Sequence, residues 1–331
     1  MAENKKIGII GSGSWATALV KIFQNNVDEI MWYVRKEESA EFIRKYHHNP
    51  YYLSAVEINM NKVTVCTNIN TVFQESENIV IAIPSAFLKN SLADLIPDLT
   101  GKYIISAVKG IVPEENLTTT EYFNKHYNVP FNSVGIITGP CHAEEIALER
   151  LSYLTIASKS SKQANDIAEM LNCRYVKAIT SNDVYGTEYS AVLKNIFAIA
   201  AGICHGLGYG DNFIAVLISN GIQEIRRFLD KTYKSKRKIN SSAYLGDLLV
   251  TAYSQFSRNR TFGTMIGKGY SARTALLEMN MVAEGYFAVS CIKEINKKHG
   301  VKMPITDAVY NILYEKISPA IEIKILSEKL K

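Results

Sequence analysis

Up to about residue 181, short continuous apolar runs alternate with helical stretches. Lys6–Ile10, Ile30–Val34, Ile79–Ile83, Tyr103–Ala107, Val134–Thr138 and Leu154–Ala157 read as strands, several of them bounded by Gly, Ser or Pro. Strands that are apolar throughout are covered on both faces, as in a parallel sheet between helices. Trp15–Gln24, Glu37–Tyr46 and Lys162–Leu171 supply helices between them. The alternation predicts a doubly wound α/β domain over residues 1–181. From about Ser181 the strand signal stops. Asp183–Cys204, Asn212–Asp230, Ala272–Leu277, Val282–His299 and Ile305–Tyr314 read as helices, with glycines at 206, 208, 210, 246, 263, 267 and 269 as punctuation. That predicts an all-helical domain over residues 182–331.

One helix violates its own pattern. Between Ser190 and Gly202 apolar residues fall on every face, the mark of a helix buried all round. Lys194 sits in the middle of it. A lone buried ammonium costs on the order of several kcal/mol, so the amine needs a partner, a lowered pKa, or both. Such a group suits a tuned acid or base; the plainer alternative is an amine that snorkels to the surface. Ser190, Ala198 and Ala201 share its helix face and leave room beside it.

Composition narrows the setting. The chain has 331 residues and a net charge of +5, which suits an anionic small ligand and forms no basic stripe for nucleic acid. The cluster Lys231, Lys234, Lys236, Arg237 and Lys238 reads as a solvated loop. Five cysteines, with no C-x-x-C, speak against a disulfide framework and against a zinc site. No metal cofactor is expected. Free thiols, no signal peptide and no apolar run of about 20 residues predict a cytoplasmic protein without a transmembrane segment.

The first strand runs into Gly11-Ser12-Gly13-Ser14-Trp15-Ala16, the pattern G-x-G-x-x-A between a strand and a helix. Gly11 allows the tight turn, Gly13 lets backbone approach a pyrophosphate, and Ala16 keeps helix close to strand. The helix N-terminus then faces the anion. The α/β half is therefore a Rossmann-like NAD(P)-binding domain. At the tip of the second strand Arg35-Lys36 stands where NAD enzymes usually carry an acid. A guanidinium suits a 2′-phosphate, so NADP(H) is the preferred cofactor. Glu37 and Glu38 lie just beyond and keep NAD(H) within reach.

Several polar motifs could meet Lys194. Lys109 follows the strand ending at Ala107, and ligands bind at the carboxyl ends of strands in open α/β sheets. Gly139-Pro140-Cys141-His142 follows the strand ending at Thr138, with Pro140 suited to the first position of a helix. Gly246-Asp247 places an acid before an apolar turn. In Ser257-Arg258-Asn259-Arg260, Arg258 could clamp a phosphate bidentately, with Ser257 and Asn259 as neutral donors.

Together these pieces resemble bacterial NAD(P)-dependent glycerol-3-phosphate dehydrogenase. The resemblance spans nearly the whole chain in order. It runs from G-S-G-S-W-A-T-A-L at Gly11 through N-x-x-Y-L at Asn49, Pro84-Ser85, Lys109-Gly110, Gly139-Pro140 and Leu193-Lys194-Asn195. It continues with G-x-G-x-N ending at Asn212, L-G-D-L at Leu245, S-R-N-R at Ser257, V-x-E-G-Y at Val282 and M-P-I at Met303. The resemblance implies reversible reduction of dihydroxyacetone phosphate to sn-glycerol 3-phosphate, feeding glycerophospholipid synthesis, with Lys194 as general acid/base. It implies substrate contacts from Lys109, Gly139, Cys141, Asn195, Asp247, Ser257, Arg258 and Asn259. It assigns the dinucleotide to Ser14, Trp15, Arg35, Lys109, Ala143, Arg258, Val282 and Glu284, beside Gly11, Gly13 and Ala16. A homodimer is compatible with it. The chain departs from the family where G-P-S-F becomes Gly139-Pro140-Cys141-His142 and where Ser190 replaces the usual glycine. A thiol at 141 is a weaker donor than a hydroxyl. Lys109 should lower the Lys194 pKa and Asp247 should raise it. The rival readings are a dehydrogenase for a β-hydroxyacid and a non-catalytic NADPH sensor.

Overall fold

The computed structural model describes residues 5–96, 98–279 and 281–331. Among these, eight strands form one sheet: β1 (Lys6–Ile10), β2 (Glu29–Tyr33), β3 (Val63–Cys66), β4 (Asn78–Ile81), β5 (Tyr103–Ser106), β6 (Val134–Thr138), β7 (Ser152–Ser158) and β8 (Val176–Ser181). Their order is β3-β2-β1-β4-β5-β6-β7-β8. The order reverses between β1 and β4, which is the topological switch point where open α/β sheets bind ligands. The strands through β6 are parallel. β7 then pairs antiparallel with β6, and β8 runs parallel to β7. The doubly wound expectation therefore needs one amendment: the far edge of the sheet is mixed, as large sheets commonly are.

The intervening helices are α1 (Ser14–Phe23), α2 (Glu37–Tyr46), α3 (Ile69–Glu75), α4 (Ser85–Ser91), α5 (Thr119–Tyr127), α6 (Ala143–Ala147) and α7 (Ser161–Leu171). α1 packs against α6 and α7, and α3 against β1, β2 and β3. Fully buried Ile7, Ile9, Leu19, Phe23, Ile30 and Trp32 belong to one core cluster.

The chain divides into two units. One holds Met1–Val108 and Thr119–Val184; the other holds Lys109–Thr118 and Tyr185–Lys331. A single boundary at 181 misses the ten-residue segment Lys109–Thr118, which groups with the helices and buries Ile111 in their core.

The helical unit contains α8 (Val184–Gly206), α9 (Asp211–Thr232), α10 (Asp247–Tyr253), α11 (Arg258–Gly267), α12 (Ala272–Glu278), α13 (Glu284–His299), α14 (Pro304–Leu313) and α15 (Pro319–Ser327). α8 is the axis: every residue from Gly186 to Cys204 is buried, which fits its apolar residues on all faces. Gly263 and Gly267 do not punctuate the chain. They lie inside α11 and face the backbone of α8. A Cβ on Gly263 would lie 2.1 Å from the Ile199 carbonyl oxygen, and one on Gly267 2.3 Å from that of Ile203. Gly202 and Gly206 answer from α8, where a Cβ would lie 2.1 Å and 2.5 Å from the Arg260 and Thr264 oxygens. Four absent side chains let two helix backbones touch. Elsewhere in this unit the buried Glu224 of α9 accepts from Ile305 N and Thr306 N at 3.0 Å and from Thr306 Oγ1 at 2.7 Å. It thereby closes the first turn of α14, whose leading N–H groups have no partner within the helix.

Candidate active site

Lys194 is 3% exposed and its partner Asp247 1%. The Lys194 ammonium donates to Asp247 Oδ1. The carboxylate stands at the first turn of α10, just after a π-helical turn over Ser242–Gly246. The Asp247 backbone is held in turn, because Thr251 Oγ1 donates to its carbonyl at 2.6 Å. Burial pulls the Lys194 pKa down to about 7; Asp247 pulls it back up and Lys109 pushes it further down. Desolvation, with Lys109 acting in the same direction, thus outweighs Asp247. The amine can hold or release a proton near neutral pH while fixed against a carboxylate.

Asn195 has a backbone partner within the helical unit. Its Nδ2 donates to the Lys109 carbonyl at 2.7 Å and so fastens the Lys109–Thr118 segment to α8. The Asn195 carbonyl has Gly285 directly against it: a Cβ there would lie 2.6 Å away. Gly285 N in turn donates to Asn259 Oδ1 at 2.9 Å. One chain of contacts thus runs from Lys109 through Asn195 and Gly285 to Asn259. Ser257 caps α11 by accepting from Arg260 N at 3.3 Å. Arg258 is the first residue of that helix and is partly exposed. Glu284 opens α13, with Val282 two residues before it.

In the α/β unit Gly11 has φ +130°, and a Cβ on it would lie 2.5 Å from the Ala82 carbonyl oxygen beside β4. Only glycine fits there. Gly13 is the N-cap of α1, and a Cβ on it would meet nothing within 4 Å. That open space is what close approach of a pyrophosphate requires. Ser14, Trp15 and the fully buried Ala16 form the first turn of α1. Arg35 is exposed just after β2. Gly139 follows β6 with φ +112°, where a Cβ would lie 2.8 Å from Tyr153 O. Pro140 does not start a helix: α6 begins at Ala143 with His142 as its N-cap. Cys141 is buried among the core residues of this unit, which suits packing and not a nucleophile. Among the described residues no group of His, Cys, Asp or Glu is arranged to hold a metal ion, and no helix is long and apolar enough to cross a membrane.

Residues 6–164 match the model for the NAD-dependent glycerol-3-phosphate dehydrogenase N-terminus, and residues 183–324 match the model for its C-terminus. The chain belongs to the NAD-dependent glycerol-3-phosphate dehydrogenase family. A glycerol-3-phosphate dehydrogenase [NAD(P)+] from an Exiguobacterium is 34% identical, covering 98% of this chain and 95% of that one. Its counterpart from Bacillus subtilis is 33% identical, covering 96% and 93%. The crystal structure of glycerol-3-phosphate dehydrogenase from Coxiella burnetii superposes with a TM-score of 0.90 at 26% identity, covering 98% and 99%.

Three residues around the family's glycine loop carry no signal of a role in the sequence. Trp32 looks like a core aromatic, Thr17 like an ordinary helical residue, and Asn49 like a loop residue within a family motif. All three are buried, and all three bond the loop or one another.

Proposed function

We propose that this chain reduces dihydroxyacetone phosphate to sn-glycerol 3-phosphate, reversibly, with Lys194 as the proton donor and a nicotinamide dinucleotide as cofactor. The buried Lys194–Asp247 pair carries the reading. A structural ion pair needs no lysine tuned to about 7; a group that must give up and take back a proton does. When bound, the reduced nicotinamide supplies a hydride to the ketone carbon. Charge then grows on the ketone oxygen, where the Lys194 ammonium stabilises it and delivers its proton. Asp247 keeps the amine in one place. Arg258, at the N-terminus of α11 with Ser257 and Asn259, would hold the phosphate. An anchored phosphate lowers the entropic part of the barrier. Gly139, Cys141 and Lys109 complete the proposed substrate contacts. The open Gly13 suits the dinucleotide's pyrophosphate, with Ser14, Trp15, Ala143, Val282 and Glu284 as further proposed contacts.

NADP(H) is the preferred dinucleotide in this reading. Glu37, the first acid beyond β2, is engaged by Arg44 Nη1 at 2.7 Å and by Thr67 Oγ1 at 2.7 Å. These two partners hold its carboxyl below the usual range. They withdraw it from a ribose hydroxyl and leave Arg35 and Lys36 for a 2′-phosphate. With dihydroxyacetone phosphate, kcat/KM should be higher for NADPH than for NADH. Arg35→Ser should lower the NADPH value by roughly tenfold, the scale of one charge-assisted contact. A clear NADH preference in the unmodified protein overturns the cofactor assignment, and no turnover with either dinucleotide overturns the activity. Five free cysteines suit a reducing cytoplasm; cytoplasmic residence and a homodimer belong to the same reading.

A further inference from the structure

Three successive carbonyls of the glycine loop are tied down, each by a different part of the α/β unit. Gly11 O accepts from Trp32 Nε1 of β2 at 2.7 Å. Ser12 O accepts from Asn49 Nδ2 at 3.0 Å. Gly13 O accepts from Thr17 N and from Thr17 Oγ1, both at 3.0 Å. A trans peptide is planar, so a carbonyl and the following N–H point in opposite directions. Anchoring the oxygens of residues 11, 12 and 13 therefore aims the N–H groups of Ser12, Gly13 and Ser14 away from those anchors. A loop that must present N–H groups to an anion needs that arrangement.

Asn49 has the largest share in this. It is buried, and all its bonding capacity is used. Nδ2 donates to Ser12 O and, at 2.9 Å, to Thr17 Oγ1, whose own proton goes to Gly13 O. Oδ1 accepts from Tyr51 N at 3.1 Å and Tyr52 N at 3.2 Å. The Tyr51 ring stands 6.0 Å from the Lys36 ammonium. One amide thus joins the loop to the segment beside Lys36. We infer that Asn49 is a positioning residue for the dinucleotide: it fixes the donor face of the glycine loop, directly at Ser12 and through Thr17 at Gly13, and ties that loop to the Tyr51–Lys36 wall. The inference rests on the dinucleotide reading above.

The test compares Asn49→Ala, Asn49→Asp and Thr17→Val with the unmodified full-length protein. Asn49→Asp keeps the shape and the two accepted bonds but sets an acceptor against Ser12 O. Thr17→Val breaks only the relay to Gly13 and serves if the Asn49 variants fail to fold, judged by circular dichroism. Dissociation constants are measured for NADPH and for ADP-ribose, which contain a pyrophosphate, and for adenosine 2′-monophosphate, which does not. The Asn49 variants should bind NADPH and ADP-ribose at least tenfold more weakly, and Thr17→Val several-fold more weakly. Binding of adenosine 2′-monophosphate should be unchanged in Asn49→Asp and Thr17→Val, which keep the bonds to Tyr51 N and Tyr52 N. At saturating NADPH, the KM for dihydroxyacetone phosphate and kcat should stay within about twofold. Unchanged NADPH binding overturns the inference, and so does equal weakening of all three ligands in Asn49→Asp and Thr17→Val, which would mark a merely structural asparagine. If the unmodified protein binds neither NADPH nor ADP-ribose, the dinucleotide reading itself falls.

Discussion

At the scale of single residues, the proposed chemistry turns on how one amine is held. In the proposed reaction, reduction needs Lys194 protonated, and burial lowers its pKa to about 7. kcat/KM for reduction should therefore be level below about pH 7 and fall above it. The reverse oxidation, which needs the neutral amine, should rise through the same point. Asp247→Asn removes the group that raises this pKa and should move both breaks to lower pH. Lys194→Ala should lose about two to four orders of magnitude in kcat while still binding dinucleotide. Reduction that falls on the acid side, or near-normal turnover in a folded Lys194→Ala, would remove this residue from the mechanism. The sequence already marked Lys194 as an amine that needs a partner, a lowered pKa or both unless it snorkels to the surface, because a cation among apolar residues is a conflict visible without coordinates. It did not show that Asn195 faces the Lys109 carbonyl, or that Asn49 reaches back to Ser12. An amide is compatible with surface, loop or core, and its partners lie 86 and 37 residues away.

At the scale of elements, the crossing of α8 and α11 sets how close Asn195 comes to the start of α11. Gly263→Ala would gain roughly 1 kcal/mol of helix propensity on an isolated helix. Here its Cβ would meet a backbone oxygen at 2.1 Å, so the helices must separate. Urea unfolding should show a net loss of about 1–3 kcal/mol, the usual scale of overpacking. A variant as stable as the parent would show that the two helices do not touch there. The same glycines explain why α11 is hidden in the sequence: a residue that usually breaks a helix here lets two helices meet. Strand legibility followed burial. The apolar runs of β1, β4 and β6 are buried on both faces and stood out. β3 and β8 did not, since Thr64, Lys177, Thr180 and other positions in them are exposed or partly exposed, and polar residues interrupt the runs. α2 and α12 were legible almost to the residue, because polar turns flank them. α10 follows a π-helical turn that no apolar period announces.

At the scale of the whole molecule, two buried groups tie stability to pH. Burial raises the Glu224 pKa to about 7, against the pull of its three hydrogen bonds and Arg227. Between its unfolded value and pH 7 the folded chain therefore holds a proton that the unfolded chain has released. Its contribution is fully present below the unfolded pKa and is lost as pH rises through about 7. Lys194 acts oppositely at higher pH: its folded pKa is depressed, so stability recovers as pH rises from about 7 toward the unfolded lysine value. Relative to the parent, Glu224→Gln should gain stability between pH 5 and pH 8, by on the order of 3 kcal/mol at most. Parallel urea midpoints at the two pH values would show that Glu224 does not titrate in this range. The division of the chain has a consequence for any attempt to build with it. The polypeptide passes between its two units after Val108, again after Thr118 and again after Val184. A fragment begun at Tyr185 would be born without Lys109 and with a hole where Ile111 belongs. Exchanging halves with a relative at one splice point would graft Lys194 while leaving part of its surroundings on the donor, so a working chimaera needs three junctions.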